Sequence, residues 1–288
     1  MRKFDKIKRN LKKKINKKIT QTKNFTKKVL FILLIIVVFL AAVYCIMYIK
    51  NSKYDGLGEQ MDYPQSTYNM DCLYTGKKGR IYDDGIYISK KGIDVSVFQG
   101  EIDWVKVKRS GIDFAMIRLG FRSSSDGTIY MDTNFKTNLR RAKAAGVDVG
   151  VYFFSQAINV DEAMEEARFV LKHIRFHGVT YPVAFDMEPV DGDDRISGLS
   201  KAEKTEIADA FCQVIKANRF KPVIYGNPTW LRKNIKLDYL TDYELWLAHY
   251  TDETDFSSKY LMWQYTDAGL VDGIDGYVDM NLYFKETH

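Results

Sequence analysis

Eight short apolar runs, the first six separated by stretches of helical periodicity, constrain this chain more than any other feature. The runs are Gly92–Phe98, Phe114–Gly120, Val147–Ser155, Tyr181–Glu188, Lys221–Gly226, Glu244–Tyr250, Leu261–Tyr265 and Tyr277–Phe284. Apolar residues recur at three and four residue spacing in Trp104–Ser110, Asn134–Ala145, Val160–Ile174, Lys201–Asn218 and Thr229–Asn234, which predicts helices there. Gly111 and Gly146 follow two of them, where a helix end needs a left-handed residue. Alternation of near-continuous apolar strands with helices predicts a parallel sheet covered by helices, and eight strands predict closure. The expected fold class is α/β, a TIM-like (β/α) barrel of eight strands with few helices in its last third. An open doubly wound sheet is the alternative, but Gln99-Gly100-Glu101 after the first strand is not a phosphate-binding loop.

The rest of the chain divides by charge. Residues 1–28 hold thirteen Lys or Arg and one acid, whereas residues 51–288 hold 29 basic and 36 acidic residues. The overall charge of +6 therefore describes neither part. Between them, residues 29–49 are uncharged and long enough to cross a hydrocarbon core of about 30 Å as a helix. The basic arm before it predicts a cytoplasmic N-terminus and everything after Lys50 outside. A cleaved signal peptide is the rival reading, with an apolar core too long for it and a poor cleavage site at Ala41-Ala42-Val43. The expected organisation is a basic arm (1–28), a transmembrane helix (29–49), an extracytoplasmic spacer (50–90) and a barrel domain (91–288), partnered with the lipid bilayer through the span. Three cysteines make no disulfide framework, and Cys212 on the apolar face of a helix reads as a buried thiol. The four scattered His residues suggest no metal, and no cofactor or nucleic acid is expected.

The chemistry is concentrated at Tyr181-Pro-Val-Ala-Phe-Asp-Met-Glu-Pro189. Side chains alternate along a strand, so Asp186 and Glu188 face the same way, roughly 6.6 Å apart along it. Paired carboxylates suit glycosidic cleavage, where one group protonates the leaving oxygen and the other supports or attacks the anomeric carbon. The competing reading is a strand end with two solvated acids. In closed α/β barrels reacting groups sit at the carboxyl ends of strands. That edge collects Asp94, Arg118, Tyr152, Phe154, Asp186, Glu188, Tyr225, Trp263, Gln264, Asp279 and Asn281. Acids beside flat aromatic rings suit a sugar, and a polyanion would be repelled. Tyr152, Phe154, Tyr225 and Trp263 could equally fill the barrel, and Asp279 could pair with Arg118.

With these residues in hand, the chain resembles glycoside hydrolase family 25, the Chalaropsis-type N-acetylmuramidases, over residues 91 to 284. The likeness rests on Gly92-Ile-Asp-Val-Ser-Val-Phe-Gln-Gly100, Phe185-Asp-Met-Glu-Pro189, Trp246-Leu-Ala-His-Tyr250, Met262-Trp-Gln-Tyr265 and Val278-Asp-Met-Asn281. It implies an eight-stranded barrel with few outer helices and hydrolysis of the β-1,4 bond between N-acetylmuramic acid and N-acetylglucosamine in peptidoglycan glycan strands. By resemblance Glu188 is the general acid, Asp186 attacks the anomeric carbon or orients the substrate's acetamido group to do so, and Asp94 and Asp279 support them. Tyr152-Phe153-Phe154 departs from the Tyr-His-Phe of many members. Chitinases sharing the Asp-x-Glu ending carry another Asp where this chain has Ala184. The stereochemical course stays open between direct and acetamido-assisted retention, or inversion. Glu188 is expected to be held protonated near neutral pH by apolar neighbours and the charge of Asp186. A membrane-anchored wall-binding or scaffold module without turnover is the alternative function.

Overall fold

The computed structural model describes residues 62–77, 79–192 and 194–287, together with Val37. The expected arm at 1–28 and span at 29–49 lie outside the described residues, Val37 apart. Among the described residues no helix is long and apolar enough to cross a membrane. The elements run β1 (Leu73–Gly76), β2 (Gly79–Tyr82), β3 (Tyr87–Val95), α1 (Trp104–Arg109), β4 (Phe114–Arg122), β5 (Ile129–Met131), α2 (Phe135–Ala144), β6 (Asp148–Phe154) and α3 (Val160–Ile174). Then follow β7 (Val183–Asp186), α4 (Lys201–Ala217), β8 (Pro222–Gly226), α5 (Pro228–Lys233), β9 (Glu244–Ala248), β10 (Met262–Gly269) and β11 (Val278–Glu286).

Eight strands close in the order β3, β4, β6, β7, β8, β9, β10, β11, with β11 returning to β3. The short β5 pairs with the outer end of β4. All eight apolar runs and all five helices read from the sequence are present. The last three helices start where local chemistry caps them: Asn159 accepts from Glu162 N–H, Ser200 and Glu203 form a capping box, and Asn227 precedes Pro228. Gly111 and Gly146 take φ of 82° and 78° where the chain leaves α1 and α2.

Inward and outward side chains alternate around the barrel. Phe114, Met116, Ala184, Val223, Trp246 and Met262 pack within it, and Val183, Phe185, Ile224, Leu245 and Leu247 face the outer layer. At the narrow end the Phe114 ring stacks on Tyr181 at 4.5 Å. That ring needs Gly92 opposite, since a Cβ there would lie 2.2 Å from Phe114 Cζ.

Two expectations change. The parallel sheet is incomplete, because β11 runs antiparallel to both β10 and β3. Only residues 270–277 join β10 to β11, too few for the dozen or so that a parallel crossover needs. The spacer also ends earlier than residue 90. Tyr63 is buried and donates its hydroxyl to Tyr243 O at 2.7 Å, and Tyr68 stacks on Phe284 at 4.2 Å. The β1–β2 hairpin carries fully buried Tyr82, and its Arg80 guanidinium lies over the Trp263 and Tyr265 rings. The physical reason is coverage. Among the described residues no helix follows β9 or β10, and the tyrosine-rich segment from residue 63 onward packs on the last two strands, Tyr68 on Phe284 and Arg80 on Trp263.

Candidate active site

The carboxyl edge of the parallel strands opens into a cavity of about 230 Å³. Asp94, Arg118, Tyr152, Phe154, Asp186, Glu188, Tyr225, Gln264 and Asp279 all line it, as the sequence reading expected. Asp186 ends β7 and lies in register with Phe154 of β6 and Tyr225 of β8. Asp279 reaches the same edge for a different reason from the one expected. It stands at the start of β11, and the reversed direction of that strand sets it directly opposite Asp94.

Asp94 is buried under two amides. Its Oδ2 accepts Gln264 Nε2–H and Asn281 Nδ2–H, each at 2.8 Å. Each amide is itself oriented: Gln264 Oε1 accepts the hydroxyls of Tyr225 and Tyr250 at 2.9 Å, and Asn281 Oδ1 accepts Trp246 Nε1–H at 2.7 Å. Burial, then the charge of Asp279 across the strand pair, pushes the Asp94 carboxyl up to about 8 against the pull of both amides. Burial lifts Asp279 to about 6.

The pair at the end of β7 is unequal. Asp186 is only 5% exposed, and burial followed by the negative charge of Glu188 holds its pKa well above the ordinary value. Glu188, nearer the mouth, is also raised by burial, while contact with the Asp186 carboxyl works the other way. Burial raises Glu188 as expected, whereas the neighbouring Asp186 carboxyl, expected to add to that shift, opposes it and is itself raised. Two desolvated acids in contact titrate as one unit, and burial raises both of them above the ordinary carboxylate range. Asp186 Oδ1 is fully buried and finds no partner of good geometry within the protein, close though the Glu188 carboxyl is.

Among the described residues Arg118 is the one cation lining the cavity, and it is already paired: Nε meets Asp132 Oδ2 at 2.9 Å, and the same oxygen accepts Val97 N–H. The considered Arg118–Asp279 pair is not what forms. The Arg118 guanidinium also lies over the ring of Phe98, 82% exposed at the mouth. Among the described residues the cavity is therefore lined by four acids and by no cation free of a carboxylate partner, and the negative charge those acids retain suits a reaction that develops positive charge.

Two expected substrate contacts lie elsewhere. Trp263 is fully buried in the outer layer, with Nε1–H donated to His249 O at 2.8 Å. It neighbours Gln264 on one strand, so period-two alternation places only one of them on the cavity, and Gln264 takes it. Asn281 is fully buried beneath Asp94 and orients that carboxylate. Sequence reasoning missed Trp246 and Phe98 among the lining, and it passed over Ser155 and Gln156. Ser155 N–H donates to Asp186 O at 2.6 Å and Gln156 Nε2–H to Glu188 O at 2.7 Å, so both fix the backbone that carries the acids. Behind them Arg122, Glu166 and Ser155 form a buried cluster: Arg122 Nε meets Glu166 Oε1 and Ser155 Oγ–H donates to Glu166 Oε2, both at 2.7 Å.

Beyond Glu188 and Tyr225 the edge widens into a second groove of about 670 Å³, walled by Pro189, Asn227, Trp230, His249 and Tyr250. Glu188 is thus common to a narrow, acid-lined cavity and a broader groove. Among the described residues no group of three or more His, Cys, Asp or Glu is placed to hold a metal ion.

The sequence profile of Glycosyl hydrolases family 25 matches residues 93–274. The uncharacterized protein YegX of Escherichia coli is 28% identical over 195 residues, covering 67% of this chain and 68% of its own. Lysozyme M1 of Streptomyces globisporus is 28% identical over 204 residues, 67% of each chain. Among solved structures, the modular autolysin LytC of Streptococcus pneumoniae, in complex with a synthetic peptidoglycan ligand, aligns with a TM-score of 0.62 at 21% identity. That alignment covers 74% of this chain and 52% of LytC, so this chain spans about half of that protein's length, and at such identity the likeness is one of fold.

Proposed function

Since this chain belongs to glycosyl hydrolases family 25, and is a glycoside hydrolase, we propose that it is a muramidase held at the outer face of the cell membrane. Its substrate is the β-1,4 bond between N-acetylmuramic acid and N-acetylglucosamine in peptidoglycan. The observation that carries this reading is the position of Glu188, where the acid-lined cavity meets the broader groove. A bond joining a sugar in the cavity to one in the groove passes that carboxyl, which donates its proton to the leaving oxygen.

Asp186 supports an acetamido-assisted route. Its buried, unpartnered Oδ1 calls for a donor, and the N–H of a substrate acetamido group supplies one. Held that way, the acetamido oxygen attacks the anomeric carbon as the glycosidic bond breaks, and Glu188 then takes a proton from the incoming water. Asp279, lifted only to about 6, adds negative potential near the oxocarbenium-like centre, and Asp94, pushed up to about 8, keeps Gln264 and Asn281 in place beside it. The lysozyme relative and the peptidoglycan-bound autolysin favour the same substrate.

Tethering is supported by the uncharged run at 29–49 behind its basic arm. With residues from 63 onward packed on the barrel, residues 50–61 remain as the link, reaching at most about 40 Å when fully extended. The test is digestion of purified peptidoglycan by the full chain, with reducing-end analysis beside Glu188→Gln. Ends in N-acetylmuramic acid, missing from the variant digest, establish the muramidase, and ends in N-acetylglucosamine refute it. Wall binding without cleavage identifies a scaffold module. Recovery of the domain in culture fluid, separated from membranes, contradicts tethering.

A further inference from the structure

We propose that the groove between α2 and α3 is a docking face for an anionic lipid surface, with Phe176 entering the headgroup layer. The groove encloses about 710 Å³ and is lined by Lys136, Arg140, Lys143, Lys172, His173 and His177 around an apolar floor, with no acid in its wall. Lys136, Arg140 and Lys143 share one face of α2 at three and four residue spacing, and Lys172 faces them from the last turn of α3. Residues 51–288 carry seven more acids than bases, so this face is opposite in sign to its own domain. A negative surface repels the rest and draws this side in.

Phe176 gives the groove its second property. The ring is wholly exposed, and its backbone takes φ of 64°, a left-handed conformation that bulky residues rarely adopt. Lys143 Nζ donates to the carbonyl of the next residue, His177, and so fixes the turn that holds the ring outward. An aromatic ring ringed by basic side chains is the pattern of a surface that lies on a membrane interface. A polymer of phosphates in solution would satisfy the cations and leave the ring in water.

Topology supplies the orientation. α2 and α3 lead into the amino ends of β6 and β7, so Lys143 and residues 172–178 lie at the edge of the barrel opposite the carboxylates. The chain enters the barrel at that same edge: Gln65 bridges Ser258 and Lys259 N–H donates to Pro64 O, a few residues before β10 begins. A bilayer that meets this edge leaves the catalytic mouth on the side facing away from it. The inference rests on the tethering proposed above for this approach alone.

The test places the full chain in phospholipid nanodiscs, either all phosphatidylcholine or with phosphatidylglycerol added, and follows hydrogen exchange at residues 172–178. Retention of the chain in washed discs tests tethering separately, and a chain that escapes them is examined by flotation with vesicles of the same two compositions. The expected result is several-fold slower exchange, or flotation, with the anionic lipid alone, abolished near 1 M salt where the screening length falls to about 3 Å. Lys136→Glu and Lys172→Glu should each weaken vesicle association by roughly five-fold or more. Phe176→Gly suits the left-handed backbone, so it should keep the melting temperature while losing protection. Equal exchange in both discs, or equal protection in neutral discs from added poly(glycerol phosphate), overturns the assignment.

Discussion

Two clusters of buried acid sit on either side of the β6 carboxyl end, and they are resolved in opposite ways. Glu166 of α3 has no exposure, yet Arg122 meets it, Ser155 donates to it, and Arg122 further contacts Glu165 and Glu162. Burial still lifts Glu166, to about 7. Asp94 is comparably buried and receives amide N–H groups in place of a cation, with Asp279 opposite it and the Asp186–Glu188 pair across the cavity. Burial therefore does not distinguish a carboxylate of the scaffold from one that lines the cavity. What distinguishes them is whether the fold spends a cation on it. The first cluster is neutralised and holds the Asp186 strand end in place through Ser155. The second is held by amides and by its own raised pKa values, with no cation of its own.

The sharpest way to break this contrast is at Glu188. Glu188→Gln should lower turnover on peptidoglycan by on the order of 10²–10⁴-fold while the melting temperature holds or rises. A variant with turnover near the parent would remove Glu188 from the acid role. Arg122→Met should do the reverse. It strands Glu166 in the interior at an expected cost of about 3–5 kcal/mol, read by urea denaturation, and the cost should shrink below pH 7 as Glu166 takes a proton.

Asp94→Asn sharpens the comparison through pH. The folded pKa near 8 lies above the ordinary value of 3.8, so the stability contribution is complete at acid pH and is lost as pH rises through 8. Replacing the carboxyl removes that loss, and an asparagine oxygen can still accept both amides. The variant's melting temperature should gain on the parent by at least about 3 °C between pH 5 and pH 8.5. A gap that stays constant with pH would mean that Asp94 does not titrate in this range. Smallest of all, Trp263→Phe should cost about 1 kcal/mol for the lost bond to His249 O and leave turnover unchanged. In Trp246→Phe the Asn281 amide loses its anchor, and turnover should drop by about ten-fold at similar stability cost.

The barrel was legible because it rests on local signals. Period-two and period-3.6 patterns place the eight strands and five helices, and the Asp-x-Glu spacing places Asp186 and Glu188 together. Strand direction is not a local signal: β11 looks like any other strand, and only the short link before it dictates an antiparallel course. The segment from Tyr63 to Lys90 shows no period because its tyrosines act as separate plugs over bare strands. Trp263 was misplaced by weighing an aromatic above the alternation that already assigned Gln264 inward. Glu166 had a readable signal, since it falls on the same stripe as Ala163, Ala167 and Val170, the face of α3 that turns toward the barrel. Its partner Arg122 lies 44 residues away, and no spacing rule joins them.

The pairing of β3 with β11 also sets a timetable for synthesis. The first barrel strand is among the earliest parts of the domain to be made, and it waits for the last one, some 185 residues later, before its second edge is covered. Until then the nascent sheet is an open curl with unpaired edges at β3 and β10, the kind of surface that invites chaperones or mispairing. Gln264 and Asn281, which grip Asp94, arrive on those last two strands. A ribosome that stalls before residue 278 leaves a chain holding Asp94, Asp186 and Glu188 without a closed cavity around them, and that cavity is complete only when the last strand pairs with β3.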